Sequence, residues 1–233
     1  MIDANAREGV GPGAEVSNTG DPLAGDPRLA EYFGERLGAV SAFRDALVAE
    51  GETRGLIGPR EAARLWERHL LNSAAVVPFL RSGAVIDVGS GAGLPGLVIA
   101  AMEPRREVVL IEPMERRATW LEEIALRLGL ANVRVIRARA ESAAGLVRAP
   151  AVTARAVAPL AKLARWCLPL AADGGQLLFL KGRGAADEVA SAAGALRSLR
   201  LEAEVLEAVS LPGLEATRVI RLVRAPLGKT PID

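Results

Sequence analysis

The chain has 233 residues, half of them hydrophobic, which is enough to bury a substantial core within one domain. Lys and Arg total 29 against 28 Asp and Glu, and the net charge of +1 excludes a strongly basic tail-type nucleic-acid binder while leaving local basic patches open. A single cysteine, Cys167, excludes an internal disulfide framework and a multi-cysteine zinc site and fits a reducing compartment.

Residues 1–26 carry Asp3, Glu8, Glu15, Asp21 and Asp26 against Arg7 alone, a local balance of −4 that leaves +5 on the remainder. Gly, Pro, Ser and Asn punctuate this stretch and large apolar residues are scarce, so it reads as a disordered acidic leader. It lacks the charged-then-apolar order of a signal peptide, and no apolar run along the chain reaches the ~20 residues that span a bilayer. A soluble, cytoplasmic monomer with no membrane contact is expected. Asp26-Pro27 then has the form of an N-cap followed by proline at the first helical position. Leu29, Tyr32, Phe33, Leu37, Val40, Phe43, Leu47 and Val48 recur at helical spacing, with Gly34 and Gly38 as expected breaks. A second helical start at Gly58-Pro59 runs to Leu80, bent near Pro78, so residues 27–82 are predicted to be all-helical.

At Gly83 the pattern changes. Residues 84–88 are a short apolar run ending in glycines, the signature of a buried parallel strand, and similar runs occupy 108–112, 133–136, 151–154 and 176–180. Helical stretches at 95–102, 115–128, 142–147 and 160–170 separate them, which predicts βαβ units and a mostly parallel sheet with helices on both faces. A helix over 185–199 follows, and the runs 202–209 and 217–223 are close enough to pair as an antiparallel hairpin through Pro212-Gly213. The resulting division is a leader to residue 26, a helical segment over 27–82, a doubly wound α/β domain over 83–225 and a flexible tail over 226–233.

The sharpest motif is Asp87-Val88-Gly89-Ser90-Gly91-Ala92-Gly93-Leu94-Pro95-Gly96, directly after the first strand. Glycines there let a nucleotide-type cofactor lie against bare backbone at the carboxyl end of a parallel strand. Gly91 to Gly96 satisfies the dinucleotide pattern literally, and Glu112 at the end of the second strand suits a ribose in either cofactor class. Asp87, two residues ahead of the first glycine, repels a pyrophosphate but suits the amino-acid end of S-adenosylmethionine. The closing antiparallel hairpin is the usual finish of the class I methyltransferase fold, which favours S-adenosylmethionine over NAD.

The stretch Glu67-Arg68-His69-Leu70-Leu71-Asn72-Ser73, the loop 86–96, Thr153-Ala154-Arg155-Ala156 and Leu180-Lys181-Gly182 together resemble the bacterial small-subunit rRNA methyltransferase G family, also known as the glucose-inhibited division protein B family. The similarity runs from about Arg28 to Arg224, and its most specific part is the Leu-Pro-Gly ending of the glycine loop. Asn72 departs from the family, which usually has Asp there. The resemblance implies methylation of N7 of a guanine in the decoding-centre loop of 16S rRNA, as free RNA or in the small-subunit particle. It places the cofactor against Gly89 and Leu94, with Asp87 and Gly91 in the same loop, Glu112 on the ribose, Ala140-Glu141 bordering the adenine and Arg155 at the mouth shared by cofactor and substrate.

Guanine N7 carries a free lone pair, so proximity and in-line orientation supply most of the rate and no general base is required. The chain has neither a Pro-Pro-Tyr amine-methylation motif nor a Pro-Cys pair, and Cys167 reads as a small core residue. His69, the lone histidine, reads either as a hydrogen-bonded packing residue or, with Arg155 and Lys181, as a candidate for a direct part in the transfer. Lys181 and Arg183, after the fifth strand, are expected with Arg155 to meet RNA phosphates, whereas Arg105-Arg106 and Arg116-Arg117 read as solvated faces. The alternative reading is a small-molecule methyltransferase, which needs an aromatic-lined pocket that 3% aromatic residues hardly provide. A non-catalytic cofactor-binding regulator is disfavoured because the glycine loop and Glu112 are intact.

Overall fold

The computed structural model describes residues 20–225. Of the expected leader, Gly20 to Asp26 are described and pack against the body of the protein through Asp21 and Leu23, both buried, so this part is not disordered. Asp21 is buried; its Oδ1 accepts the Leu23 N–H and its Oδ2 the Trp66 N–H, both within hydrogen-bond distance at 3.1 and 3.0 Å. Residues 1–19 and the expected tail over 226–233 lie outside the described residues.

Helix α1 (Pro27–Phe33) starts as its sequence requires: the Asp26 carboxylate accepts the Arg28 N–H at 2.9 Å and proline occupies the first helical position. Gly34, at φ 53°, ends it, and a 3₁₀ turn leads into α2 (Leu37–Glu50). Gly38 sits inside α2 and does not break it. The expected helix from Pro59 to Leu80 is instead a series of short pieces: a 3₁₀ turn Ala62–Arg64, a π turn Trp66–Leu71, α3 (Asn72–Ala74) and a 3₁₀ turn Val77–Phe79. The cause is long-range, since the Trp66 N–H that an α-helix would bond to its own preceding turn is taken by Asp21. Pro78 has no N–H to continue a helix.

From Val85 the chain alternates strand and helix: β1 (Val85–Val88), α4 (Gly96–Met102), β2 (Val108–Ile111), α5 (Glu115–Arg127), β3 (Val133–Ile136), α6 (Ala140–Ala143) and β4 (Ala149–Arg155). It continues with α7 (Leu160–Cys167), β5 (Ala171–Lys181), α8 (Ala185–Ser198), β6 (Leu201–Ala208) and β7 (Thr217–Arg224). The strands form one sheet in the order β3-β2-β1-β4-β5-β7-β6, with β7 antiparallel to both its neighbours and β1 to β5 parallel. This is the doubly wound class I methyltransferase sheet with its antiparallel closing strand. Winding reverses between β1 and β4, so the loops after those strands part there and leave a crevice at the carboxyl edge.

Alternate residues of each strand face opposite sides. Val85, Leu110 and Leu178 pack with α4, α5 and the N-terminal helices through Phe43, Leu47 and Leu70. Ile86, Val109 and Phe179 pack with α7 and α8 on the other face, where Cys167 is fully buried as a core residue. The N-terminal helices thereby complete one face of the sheet and reach its carboxyl edge. No helix among the described residues is long and apolar enough to cross a membrane.

Candidate functional site

The loop between β1 and α4 is held by its own backbone and by three buried side chains. Gly89 N–H bonds the Ile111 carbonyl at 2.8 Å, while Gly93 and Leu94 N–H groups turn back to the Ser90 carbonyl at 2.7 and 3.1 Å. Gly89, Gly91 and Gly93 all have positive φ, at 70°, 56° and 105°, a region that side chains rarely enter. At Gly89 a Cβ would also meet Val157 at 2.7 Å, so the loop after β4 is packed against bare backbone.

Glu112 ends β2 and is nearly fully buried. Its Oε2 accepts the Gly91 N–H and its Oε1 the Met114 N–H, each at 2.9 Å. Trp120 of α5, wholly buried, donates its indole N–H to the Ala92 carbonyl at 3.0 Å. Asp87 holds the far end of the loop: its Oδ2 accepts the Gly96 N–H at 3.0 Å, and burial raises its pKa to about 7.

These elements surround a cavity of about 590 Å³. Gly89, Gly91 and Leu94 line it from the glycine loop, Glu112 and Met114 from the end of β2, and Ala140 and Glu141 from α6. Arg155, at the end of β4, lines it beside Ala156, a non-glycine residue at φ 56°. Glu61 and His69 of the N-terminal segment close the remaining side. The expected cofactor set therefore converges, except for Asp87. That carboxylate does not line the cavity; it lies fully buried beneath the loop and shapes it through Gly96.

The residues fit S-adenosylmethionine. At Gly91 a Cβ would meet nothing closer than the Gly89 carbonyl at 3.8 Å, so bare backbone faces open space. Each Glu112 oxygen accepts one backbone N–H, which leaves it a further lone pair for a ribose hydroxyl. Pro113, Met114, Ala138 and Ala140 supply an apolar wall for an adenine. A pyrophosphate is poorly served, because the Gly91 N–H it would need is already bonded to a carboxylate.

Arg155 donates from Nη2 to His69 Nδ1 at 3.0 Å and from Nη1 to the Arg68 carbonyl at 3.1 Å. His69 Nε2 is bonded to Glu61 Oε2. Burial lowers the His69 pKa, the Arg155 charge lowers it further, and Glu61 opposes both. The bond to His69 in turn holds the Glu61 carboxyl below its ordinary range.

Two expected RNA contacts are placed otherwise. Lys181 does not line the cavity; its ammonium is mostly buried, 2.7 Å from Glu188 Oε1 and 3.3 Å from the Ala158 carbonyl. Arg183 is exposed but bidentate to Glu215, at 2.7 and 2.9 Å. Conversely, Arg117, expected on a solvated face, lines the cavity together with Arg139, and among the described residues neither has an ion-pair partner. Arg106, also expected on a solvated face, donates to the Arg81 carbonyl at 2.7 Å and to that of Gly83, ahead of β1. Sequence reading also missed Glu61 and Trp120. The position of Arg117, one turn past the second strand, is a usable signal; Glu61 carries none, because its link to His69 crosses non-α backbone.

Solved structures agree on the fold. The chain superposes on a ribosomal protein L11 methylase from Lactobacillus delbrueckii with a TM-score of 0.51 at 16% identity, covering 66% of this chain and 76% of that one. NSun6 from Pyrococcus horikoshii gives 0.53 at 14% identity over 72% and 56% of the two chains. Among curated relatives, the chain is 41% identical to ribosomal RNA small subunit methyltransferase G of Bifidobacterium adolescentis, over 88% of this chain and 96% of the relative. It is 50% identical to the protein of the same name from Leifsonia xyli, over 82% and 92%. The family model for rRNA small subunit methyltransferase G matches residues 36–215, which take in the helical segment from α2 onward, the glycine loop and strands β1 to β6, leaving α1 and β7 outside. The chain belongs to the rRNA small subunit methyltransferase G family.

Proposed function

We propose that this protein transfers the methyl group of S-adenosylmethionine to N7 of a guanine in the decoding-centre loop of 16S rRNA. The observation that carries the reading is that the glycine cradle and Glu112 share one open cavity with Arg155, Arg117 and Arg139. A cofactor shelf and a cationic approach for an anionic polymer thus meet in one space, without the closed aromatic pocket that a small substrate favours.

The choice of N7 rests on the carboxylates. Asp87 is sealed below the loop, Glu112 holds Gly91 and Met114, and Glu61 is bonded to His69. Glu141 belongs, on the family resemblance, at the adenine end. None is placed as a general base, which suits a nucleophile that already carries its lone pair. S-adenosylmethionine, when bound, supplies a sulfonium-activated methyl group. The protein's own work is positional: Glu112 receives the ribose, the bare loop receives the cofactor's backbone, and Arg155 offers N–H donors to an acceptor on the entering nucleotide. Orientation of this kind replaces acid–base chemistry as the source of rate.

The direct test is to map 7-methylguanosine in 16S rRNA, free and in the small-subunit particle, with and without the purified protein and S-adenosylmethionine. A protein-dependent 7-methylguanosine in the decoding-centre loop is expected. Methylation at another atom, or transfer only to small molecules, overturns the reading.

A further inference from the structure

Side chains from three places in the chain meet at the cavity wall that the N-terminal segment provides. Arg155 leaves the end of β4, His69 lies in the π turn Trp66–Leu71, and Glu61 directly precedes the 3₁₀ turn Ala62–Arg64. A guanidinium has donors and no acceptor. His69 Nδ1, 3.0 Å from Arg155 Nη2, is therefore the bare, accepting nitrogen. The ring proton then sits on Nε2 and is donated to Glu61 Oε2. The neighbours dictate the tautomer. A second bond, from Arg155 Nη1 to the Arg68 carbonyl at 3.1 Å, stops the guanidinium from rotating.

We propose that Glu61 and His69 are positioning residues for Arg155: they fix its guanidinium so that the remaining N–H groups face an acceptor on the RNA substrate, and protonation of His69 releases it. The substrate part of this inference rests on the rRNA-methyltransferase reading. The charged groups around the ring are Glu61, Arg68 beside it in the π turn and Arg155 from β4, with Asp87 of β1 acting on Arg155 from behind. A proton on Nδ1 would face the Arg155 donor and turn an attractive contact into a repulsive one. Activity is then retained above the His69 midpoint and lost below it.

His69 is the only histidine, so its ring nitrogens are identified without ambiguity in isotope-labelled, untagged full-length protein. A long-range proton–nitrogen correlation spectrum at about pH 8 is expected to show Nε2 protonated and Nδ1 bare. The midpoint for forming the cation lies below the ordinary histidine value of about 6.5 and falls further in Glu61→Gln, because the carboxylate that favours the cation is gone. A proton on Nδ1, or a midpoint that Glu61→Gln leaves unmoved, overturns the proposal whatever the enzyme methylates.

Methyl transfer to the small-subunit particle forms the second arm. His69→Asn keeps an acceptor beside Arg155 but does not titrate, whereas His69→Leu removes the acceptor. Wild-type turnover should fall as pH drops through the His69 midpoint, and this acid limb should vanish in His69→Asn. His69→Leu should lose roughly tenfold or more in turnover at every pH, about 1.4 kcal/mol of barrier, with S-adenosylhomocysteine affinity within about twofold of wild type. An acid limb that persists in His69→Asn belongs to another group, such as Asp87, and overturns the proposal, as does wild-type turnover in His69→Leu. If the wild type transfers no methyl to the particle while the spectra are as expected, the function assigned above fails and the substrate half of the proposal falls with it.

Discussion

Asp87 illustrates how one residue can be necessary to a site without touching its contents. Its Oδ2 accepts the Gly96 N–H, its Oδ1 is buried without a hydrogen-bond partner, and its register neighbour on β4, Thr153, is equally enclosed. Burial raises the carboxyl to about 7, against the weaker opposing pull of the Ser90 hydroxyl, the Gly96 N–H and Arg155. The folded chain thus keeps a proton at pH values where the unfolded chain, with an ordinary carboxyl near 4, has released it. Stability from this group is fully present below about pH 4 and is lost as pH rises toward 7. Asp87→Asn should remove that loss. Urea unfolding between about pH 5 and 8 should show wild-type stability falling relative to Asp87→Asn by on the order of 2 kcal/mol. The lowered His69 pKa acts with the opposite sign in both proteins and cancels in the comparison. Parallel pH profiles for the two proteins would show that Asp87 is ionised in the fold throughout.

At the scale of elements, Lys181 ties the end of β5 to two helices. Glu188 of α8 accepts from Lys181 Nζ and, at 2.8 Å through the same Oε1, from the Leu160 N–H that opens α7. The carboxylate is therefore a cap for α7 as well as half of an ion pair. Removing the lysine leaves a half-buried carboxylate without its cation, so Lys181→Ala should cost about 2 kcal/mol, between the ranges for exposed and buried pairs. For a chain of this size the melting temperature should drop by roughly 4–8 °C. Affinity for S-adenosylhomocysteine should stay unchanged, because the pair does not line the cavity. Lost cofactor binding with intact thermal stability would return Lys181 to the functional site.

For the molecule as a whole, the charge pattern separates cations already neutralised from those left for a partner. Lys181 and Arg183 are engaged by Glu188 and Glu215, whereas Arg117 and Arg139 line the cavity with no ion-pair partner among the described residues. Each phosphate contact on single-stranded RNA contributes about −0.7 to the slope of log affinity against log salt. Replacing Arg117 and Arg139 by Ala should flatten that slope by about 1.4, and replacing Lys181 and Arg183 should flatten it by clearly less. Binding to 16S rRNA measured across a salt series decides between the pairs; an equal or larger change for Lys181 and Arg183 would place the RNA path on the β5 side. The near-zero net charge is uninformative here, since RNA affinity is expected to follow the cavity cations that have no ion-pair partner among the described residues.

The order of strands and helices, the glycine loop and Glu112 were legible in the sequence because their signals are local. Apolar runs mark the buried strands, glycines mark positive backbone angles, and a strand–loop–helix order places both at the carboxyl edge of a parallel sheet. The Asp26-Pro27 helix start was readable for the same reason. Only the tertiary structure decided which charges are spent on the fold. His69 and Arg155 are 86 residues apart, Arg183 and Glu215 are 32 apart, and Asp21 reaches 45 residues to interrupt the helix expected around Trp66. Periodicity sees one element at a time, whereas these pairings depend on which strands and loops the sheet order brings together. An arginine two residues past Thr153 is visible in the sequence; that it is gripped by a histidine, itself oriented by Glu61, follows only from packing the N-terminal helices against the edge where the loops after β1 and β4 part.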